Sequence, residues 1–347
     1  MPKLVKTSVL LFLFVYAASN TVARLEAQSD TTLTLNSGQT PRGKIKTTSP
    51  EKIVLETSRG EQEYAVGEIR QVRLAGEPNW LNSAKARFRE NRYDACYDLI
   101  HAESLDALEP ILQQEATFYL AMSAAKLALG DGEVTANQAG NLLLSFINKF
   151  PDSFNSYSAI EAFADLALEN GGFARAAEYY EKLEGVQSAE FKQRAQLNLG
   201  KAKLHEGKYA EAAETLNRAA GLPTSDSISQ LIAGCFHAQA ISYLGRADEA
   251  IEILQNLIKS ENSSQSELFA HIYNALGVAY LNKNDLKAAR TAFMHTDLLF
   301  FTNRNAHAEA LFHLHKIAND LQDSERSAKT RQLLKSRYRS THWASKL

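Results

Sequence analysis

"YNALGVAYLNKNDLKAA", residues 273–289, is a short helix-like run, a polar break and the start of a second run. Its informative positions are Tyr273, the pair Leu276-Gly277, Tyr280, the break "NKND" and Ala289, with Phe293 four residues further on the same face. A single such stretch marks a helical hairpin. A stretch that recurs at a fixed period marks a stacked array, and repetition is therefore the first thing to test.

It recurs. "QLNLGKAKLHEGKYAEAAETL" (196–216) has Leu199-Gly200, a turn at Gly207, then Tyr209, Ala212 and Leu216 in the same register. "IEAFADLALENGGFARAAEYY" (160–180) has Phe163-Ala164, Gly171-Gly172, Phe173, Ala176 and Tyr180, and "GCFHAQAISYLGRADEAIEIL" (234–254) has His237-Ala238, Gly245, Ala250 and Leu254. Aligned on the small residue of the second helix, the series reads Cys96, Ala139, Ala176, Ala212, Ala250, Ala289 and Ala328. Small residues at that point let two helices cross closely, while the large residues around them fill the space between. This predicts about seven helix pairs over residues 77–343, a mainly α solenoid in which each pair buries its apolar face against its neighbours.

A large residue, a small one, an aromatic after the turn, then Ala and another large residue is a pattern that resembles the tetratricopeptide repeat (TPR) family. The resemblance is strongest at 157–190, 193–225 and 270–302, and weakest at the terminal units 77–108 and 309–342. The unit at 111–152 carries an insertion around "LALGDGEVTANQ". The period exceeds the usual 34 residues, and the closing Pro survives only at Pro151 and, one residue early, at Pro223. "SFINKFPDS" (145–153) looks like a unit junction of TPR proteins in bacterial cell-envelope assembly.

Residues 30–76 read differently. "TTLTL", "GKIKT", "KIVLE", "QEYAV" and "RQVRL" are short, β-branched and mostly alternating, with turn signals at Ser37-Gly38, Pro41, Ser49-Pro50 and Arg59-Gly60. They predict a small all-β module that resembles SH3-like or Sm-like bacterial barrels, or a β-meander packed on the first helices. Gly76 and Pro78 end it, and Asn79 is the expected cap of the first helix.

At the N-terminus, Lys3 and Lys6 precede the apolar run "SVLLFLFVYAA" (8–18). The run is short for a bilayer span and fits the core of a secretory signal peptide, with cleavage after Ala23 or Ala27. The expectation is an exported chain, periplasmic or envelope-associated, with no transmembrane segment once residues 1–27 are removed. The terminal Ser345-Lys346-Leu347 matches a peroxisomal address, but a tripeptide is outweighed by the longer N-terminal pattern. The whole chain has net charge −2, and losing Lys3, Lys6, Arg24 and Glu26 leaves −4, which gives nucleic acid no electrostatic footprint. Cys96 and Cys235 are read as packing residues, since the register places them four units apart.

The resemblance implies that the first helix of each pair lines a concave groove for a protein or peptide partner. In this register the groove positions are Glu161, Asp165 and Glu169, then Arg194, Leu197, Lys201 and His205, then Gln239, Tyr243, Asn274 and Val278. A clamp for a free C-terminal carboxylate is met only in part by Arg194, Asn198 and Asn274. No phosphate loop, nucleophile triad or paired-Cys site is present in the sequence, and His313 and His315 point to different sides of a helix. The expectation is a non-catalytic scaffold without cofactor or metal. A structural spacer whose β-module binds an envelope polymer, or an accessory subunit of an envelope enzyme complex, remain alternatives. Oligomeric state is not legible here.

Overall fold

The computed structural model describes residues 30–130, 132–223 and 226–347. The segment read as a signal peptide lies outside them. Two compact units emerge from the described residues: one holds residues 30–120 together with Phe150–Ser156, the other Ala121–Lys149 and Tyr157–Leu347.

In the first unit the five expected strands form: β1 (Thr31–Leu35), β2 (Arg42–Thr48), β3 (Lys52–Thr57), β4 (Gly60–Ala65) and β5 (Ile69–Arg73). They make one antiparallel sheet in the order β4-β3-β2-β1-β5, so the last strand returns to the first. Irregularities at Thr34/Leu35 and Ile45/Thr47 interrupt the ladders, as bulges do where a small sheet must bend. The alternation read in "TTLTL" is real: Thr31, Leu33 and Leu35 face inward.

The inner face of the sheet does not close on itself. Leu33, Leu35, Ile53, Leu55, Val72 and Leu74 share one core with Leu112 and Phe154. Helices α1 (Asn79–Arg89) and α2 (Tyr93–His101), and the first half of α3 (Pro110–Leu129), belong to the same unit. The change of composition at Gly76 therefore lies inside a compact unit. Asn79 is the first residue of α1 rather than its cap, which falls at Pro78 and makes no side-chain hydrogen bond.

A buried ion cluster ties this unit together. Lys85 Nζ donates to the Val72 carbonyl at 2.7 Å and pairs with Glu77 at 3.2 Å and Glu115 at 2.8 Å. The other oxygen of Glu115 accepts from Asn155 Nδ2 at 2.8 Å, and Glu77 accepts from the Leu74 amide at 2.9 Å. Lys85, Glu77 and Glu115 side chains are at most 3% exposed.

The second unit is an array of antiparallel helix pairs. It contains the end of α3 with α4 (Ala136–Lys149), then α5 (Ser156–Glu169) with α6 (Phe173–Glu181), and α7 (Ala189–His205) with α8 (Tyr209–Gly221). It continues with α9 (Ser227–Tyr243) and α10 (Ala247–Ser260), α11 (Ser266–Asn282) and α12 (Leu286–Leu299), and α13 (Arg304–Asp320) and α14 (Ser324–Arg337). A last short helix, α15, covers His342–Ser345. With α1/α2, the described residues hold seven pairs, as the register predicts.

The stretch 273–289 shows how a pair is made. Helix α11 ends in a left-handed Asn284 (φ 61°), and the Asp285 amide bonds back to the Tyr280 carbonyl at 2.9 Å. The Asp285 carboxylate then caps α12 through the Ala288 amide at 3.0 Å. The helices cross at Gly277, where an added Cβ would lie 2.6–2.8 Å from Phe293 ring carbons. Gly200 against Leu216 is the same crossing in another pair.

Cys96, Ala139, Ala176, Ala212, Ala250 and Ala289 are all fully buried. The seventh aligned residue, Ala328, is exposed, and Ser327 takes its place at 6% exposure. The cap explains the shift. Each of these small residues lies four positions after the helix cap, and α14 is capped by Asp323, not by the following residue. Cys96 and Cys235 are both free and buried.

Candidate functional site

The first helices bring a row of polar side chains to one inner face. On α5, Glu161, Asp165 and Glu169 follow at steps of four, and on α7, Arg194, Asn198, Lys201 and His205 follow at steps of four, three and four, so each set shares a stripe. Arg194 forms a two-pronged pair with Glu161, with Nε–Oε1 at 2.7 Å and Nη2–Oε2 at 3.1 Å. Asp165 accepts from Tyr180 Oη at 2.5 Å and from Asn198 Nδ2 at 3.3 Å. Among the described residues Lys201 makes one hydrogen bond, a 3.3 Å contact to Asn198 Oδ1, and lies over the Phe236 ring at 5.3 Å. The Glu169 carboxylate forms no ion pair or hydrogen bond among the described residues.

These groups border a chamber of about 270 Å³ whose polar lining includes Asp165, Glu169, Asn198, Lys201, Arg304 and Asn305. A smaller cavity of about 40 Å³ shares Glu169, Lys201 and Asn305 and is also lined by His205, His271, Glu309, His342 and Trp343. Glu309, 5% exposed, accepts from Asn274 Nδ2 at 3.0 Å with one oxygen, while its Oε1 has no hydrogen bond. His271 Nδ1 is likewise unmatched.

Removal from water dominates the charges here. It pushes the Asp165 carboxyl up to about 6, helped by the neighbouring Glu161, and Glu169 up to about 7. Burial raises Glu309 as well. It drives His205 well below its ordinary value and takes His271 and His313 down to about 3, so these imidazoles are neutral.

The structure sorts the eleven groove positions. Glu161, Asp165, Glu169, Arg194, Lys201 and His205 come together as described. Leu197 is 7% exposed and Val278 1%, so both belong to the apolar packing and not to a groove. They sit on a helix side that faces neighbouring helices, Val278 against Ala310 and Leu314. Asn274 is 1% exposed, its Nδ2 donating to the Ala306 carbonyl and Glu309 while its Oδ1 has no hydrogen bond. Gln239 is buried, and Tyr243 is exposed and stacked on Tyr209 at 4.4 Å.

What the sequence reading missed is the C-terminal segment beyond the last helix pair. It is folded onto this face. Ser340 Oγ meets the Leu129 carbonyl at 3.4 Å and accepts from Arg304 Nη2 at 3.1 Å. His342 lies 4.9 Å from His205 and 5.1 Å from Phe173, ring to ring. Trp343 packs on Phe312 at 5.3 Å, His205 at 5.6 Å and His313 at 5.7 Å. Lys346 Nζ sits over Trp343 at 4.6 Å, and Leu347 packs beside the cluster of Leu311, Leu334 and Tyr338. The "HW" pair in a polar tail was the only signal in the sequence.

Among the described residues no group of three or more His, Cys, Asp or Glu is arranged to hold a metal ion. No described helix is long and apolar enough to cross a membrane.

The comparisons agree with the geometry. A tetratricopeptide repeat family model matches residues 161–227 and 237–294. A tetratricopeptide repeat protein from Parabacteroides merdae superposes with a TM-score of 0.56 at 14% identity, covering 77% of this chain and 96% of that one. A Rap protein complexed with Competence and Sporulation Factor superposes with a TM-score of 0.50 at 16% identity, over 77% of this chain and 75% of that one. Comparison with curated protein sequences returns no match. The chain carries tetratricopeptide repeats, and its helical array has the fold of TPR proteins, a family of generally non-catalytic protein–protein interaction scaffolds.

Proposed function

We propose that this protein is an exported, non-catalytic scaffold of the bacterial cell envelope, which binds a protein or peptide segment on the inner face of its array. The observation that carries the reading is the underpaired stripe on α5 and α7. Lys201 and Glu169 line a chamber, and neither is held by a strong partner. Charges left half-satisfied at a partly closed face are positioned to meet polar groups of a ligand, whereas structural charges are normally paired. The structurally similar Rap protein was solved with Competence and Sporulation Factor bound, which supports a ligand role for such an array. Export rests on the sequence pattern of residues 3–27, and the envelope assignment on that pattern together with the "SFINKFPDS" junction.

The test is capture of partners from a detergent-solubilised envelope fraction with chain 28–347. The tag belongs ahead of residue 28, because Leu347 is packed against the fold. The control carries Arg194→Glu and Lys201→Glu and must keep its helical signal. A partner retained by both proteins removes the inner face as the site. Export is checked separately by the N-terminal mass of protein released from the periplasm, expected to begin at Gln28 or Arg24. An intact Met1 in the cytosolic fraction alone would overturn it.

A further inference from the structure

The inner face is already occupied by part of the chain itself, and that occupant describes the ligand. Residues 338–347, "YRSTHWASKL", leave α14 and reach the end of α3, a hydrogen-bonded contact 211 positions away in sequence. The walls of the seat are neutral and aromatic: Phe173 and His205 on one side, Phe312 and His313 on the other. Such walls accept a flat aromatic ring at centroid distances of 4.5–7 Å and discriminate little against what surrounds it. Gly171 makes room for the segment, since an added Cβ there would lie 3.2 Å from His342 Cβ, and its φ of +81° already disfavours other residues.

The hold is local. The segment contributes one short helix, and its polar anchors include Arg304 with Ser340, the Ser340–Leu129 contact and Tyr338 Oη against His307 Nδ1 at 2.6 Å. Its last residues are not sunk in the fold, because Ser345 and Lys346 are exposed. Beside it the 270 Å³ chamber, with Lys201 and Glu169 on its wall, leaves space that the segment does not fill. A surface built to be sealed permanently by its own tail has no use for unmatched charges and volume next to the seal.

We propose that the seat of Trp343 is the partner site: the partner is a peptide segment that places an aromatic side chain between His205, Phe312 and His313, displacing residues 338–347. This rests on the reading of the inner face as the binding surface and names the chemistry of its ligand and its regulation. The segment is a competitor in cis. A ligand that binds only the open form has its affinity reduced by the fraction open, so a seat open about 1–10% of the time weakens binding by about 10- to 100-fold.

The experiment uses a fluorescein-labelled synthetic peptide of residues 338–347 and full chains, followed by anisotropy. Trp343→Ala empties the ring seat, and Arg304→Gln releases Ser340 together with the Arg337 carbonyl and the Tyr338 ring while leaving the Trp343 seat itself intact, so that a folding defect in the first leaves the second to decide. Both must keep the helical signal of the parent. The expected result is peptide binding at least about tenfold tighter to the variants than to the parent, and loss of that binding when the peptide carries Trp343→Ala. Equal affinity for parent and both variants, or binding indifferent to the peptide's ring, overturns the proposal. The two readings fail separately. A partner lost from Arg194→Glu/Lys201→Glu protein but unaffected by excess free peptide sinks the aromatic seat and leaves the scaffold standing. Tight, ring-dependent peptide binding with a captured partner indifferent to the inner-face charges does the reverse.

Discussion

Two charge clusters, one in each compact unit, are built from the same residue types and behave oppositely. Around Lys85 the ammonium meets one carbonyl and two carboxylates, with a backbone amide and Asn155 behind these, and only Glu77 Oε1 is held by the ion pair without a hydrogen bond. Around Lys201 there is, among the described residues, a single long hydrogen bond, a phenyl ring at 5.3 Å and carboxylates whose pKa burial raises. A buried charge that is fully matched is part of how a chain holds its shape. A charge that is poorly matched at the edge of a cavity is part of what the chain does. Composition alone does not separate these cases, since each is a Lys among carboxylates.

Substitution tests the contrast most directly at Lys85. Lys85→Met leaves Glu77 and Glu115 buried without their cation, and a loss of about 3–5 kcal/mol is expected. Trp80 lies on α1 of this unit, so its fluorescence in urea, in a Trp343→Phe background, follows the relevant transition. A loss below about 1 kcal/mol would mean that the cluster is not structural.

The next effect is acid lability of the second unit. His271, His313 and His342 are held near 3 by burial, below their ordinary 6.5. A depressed pKa contributes stability that is present above 6.5 and is lost as pH falls toward 3, at most about 1.4 kcal/mol per pH unit for each group. Trp343 emission, in a Trp80→Phe background, is expected to shift to the red at a lower temperature at pH 5 than at pH 7. Unchanged melting across that window would contradict the neutral, buried assignment.

Glu169 acts with the opposite sign. Its raised pKa of about 7 makes its contribution most favourable below about 4.5, and that contribution is lost as pH rises through 7. Glu169→Gln is therefore expected to be more stable than the parent at pH 8, with the advantage gone at pH 4.5, as read by thermal melts at the two values. The smallest effect is at Lys201 itself. Lys201→Met is expected to change stability by less than about 1 kcal/mol while abolishing partner capture. A Lys201 variant that unfolds like the Lys85 variant would erase the distinction between the two clusters.

Much of the architecture was legible because it is written in local spacing. The polar turn "NKND" is a left-handed residue followed by a capping Asp, and Leu-Gly pairs mark crossings where a methyl group does not fit. The register slipped at Ala328 because identity was aligned, whereas the geometry counts from the cap at Asp323. The inner face was legible by half. Glu161, Asp165, Glu169, Arg194, Lys201 and His205 followed from helical periodicity, but Leu197 and Val278 were assigned to the wrong side of their helices. A helix in the middle of an array is contacted on most of its circumference, and a one-position change of face is invisible without its neighbours.

The sequence by itself determined the repeats, the seven pairs, the strands and the stripe of charges, because each depends on residues at most about forty positions apart. Only the tertiary structure decided that the sheet shares its core with Leu112 and Phe154, that Lys85 is matched while Lys201 is not, and that Trp343 occupies the inner face. Those facts join residues brought together by the path of the whole chain, and a contact between Leu129 and Ser340 leaves no periodic trace in either.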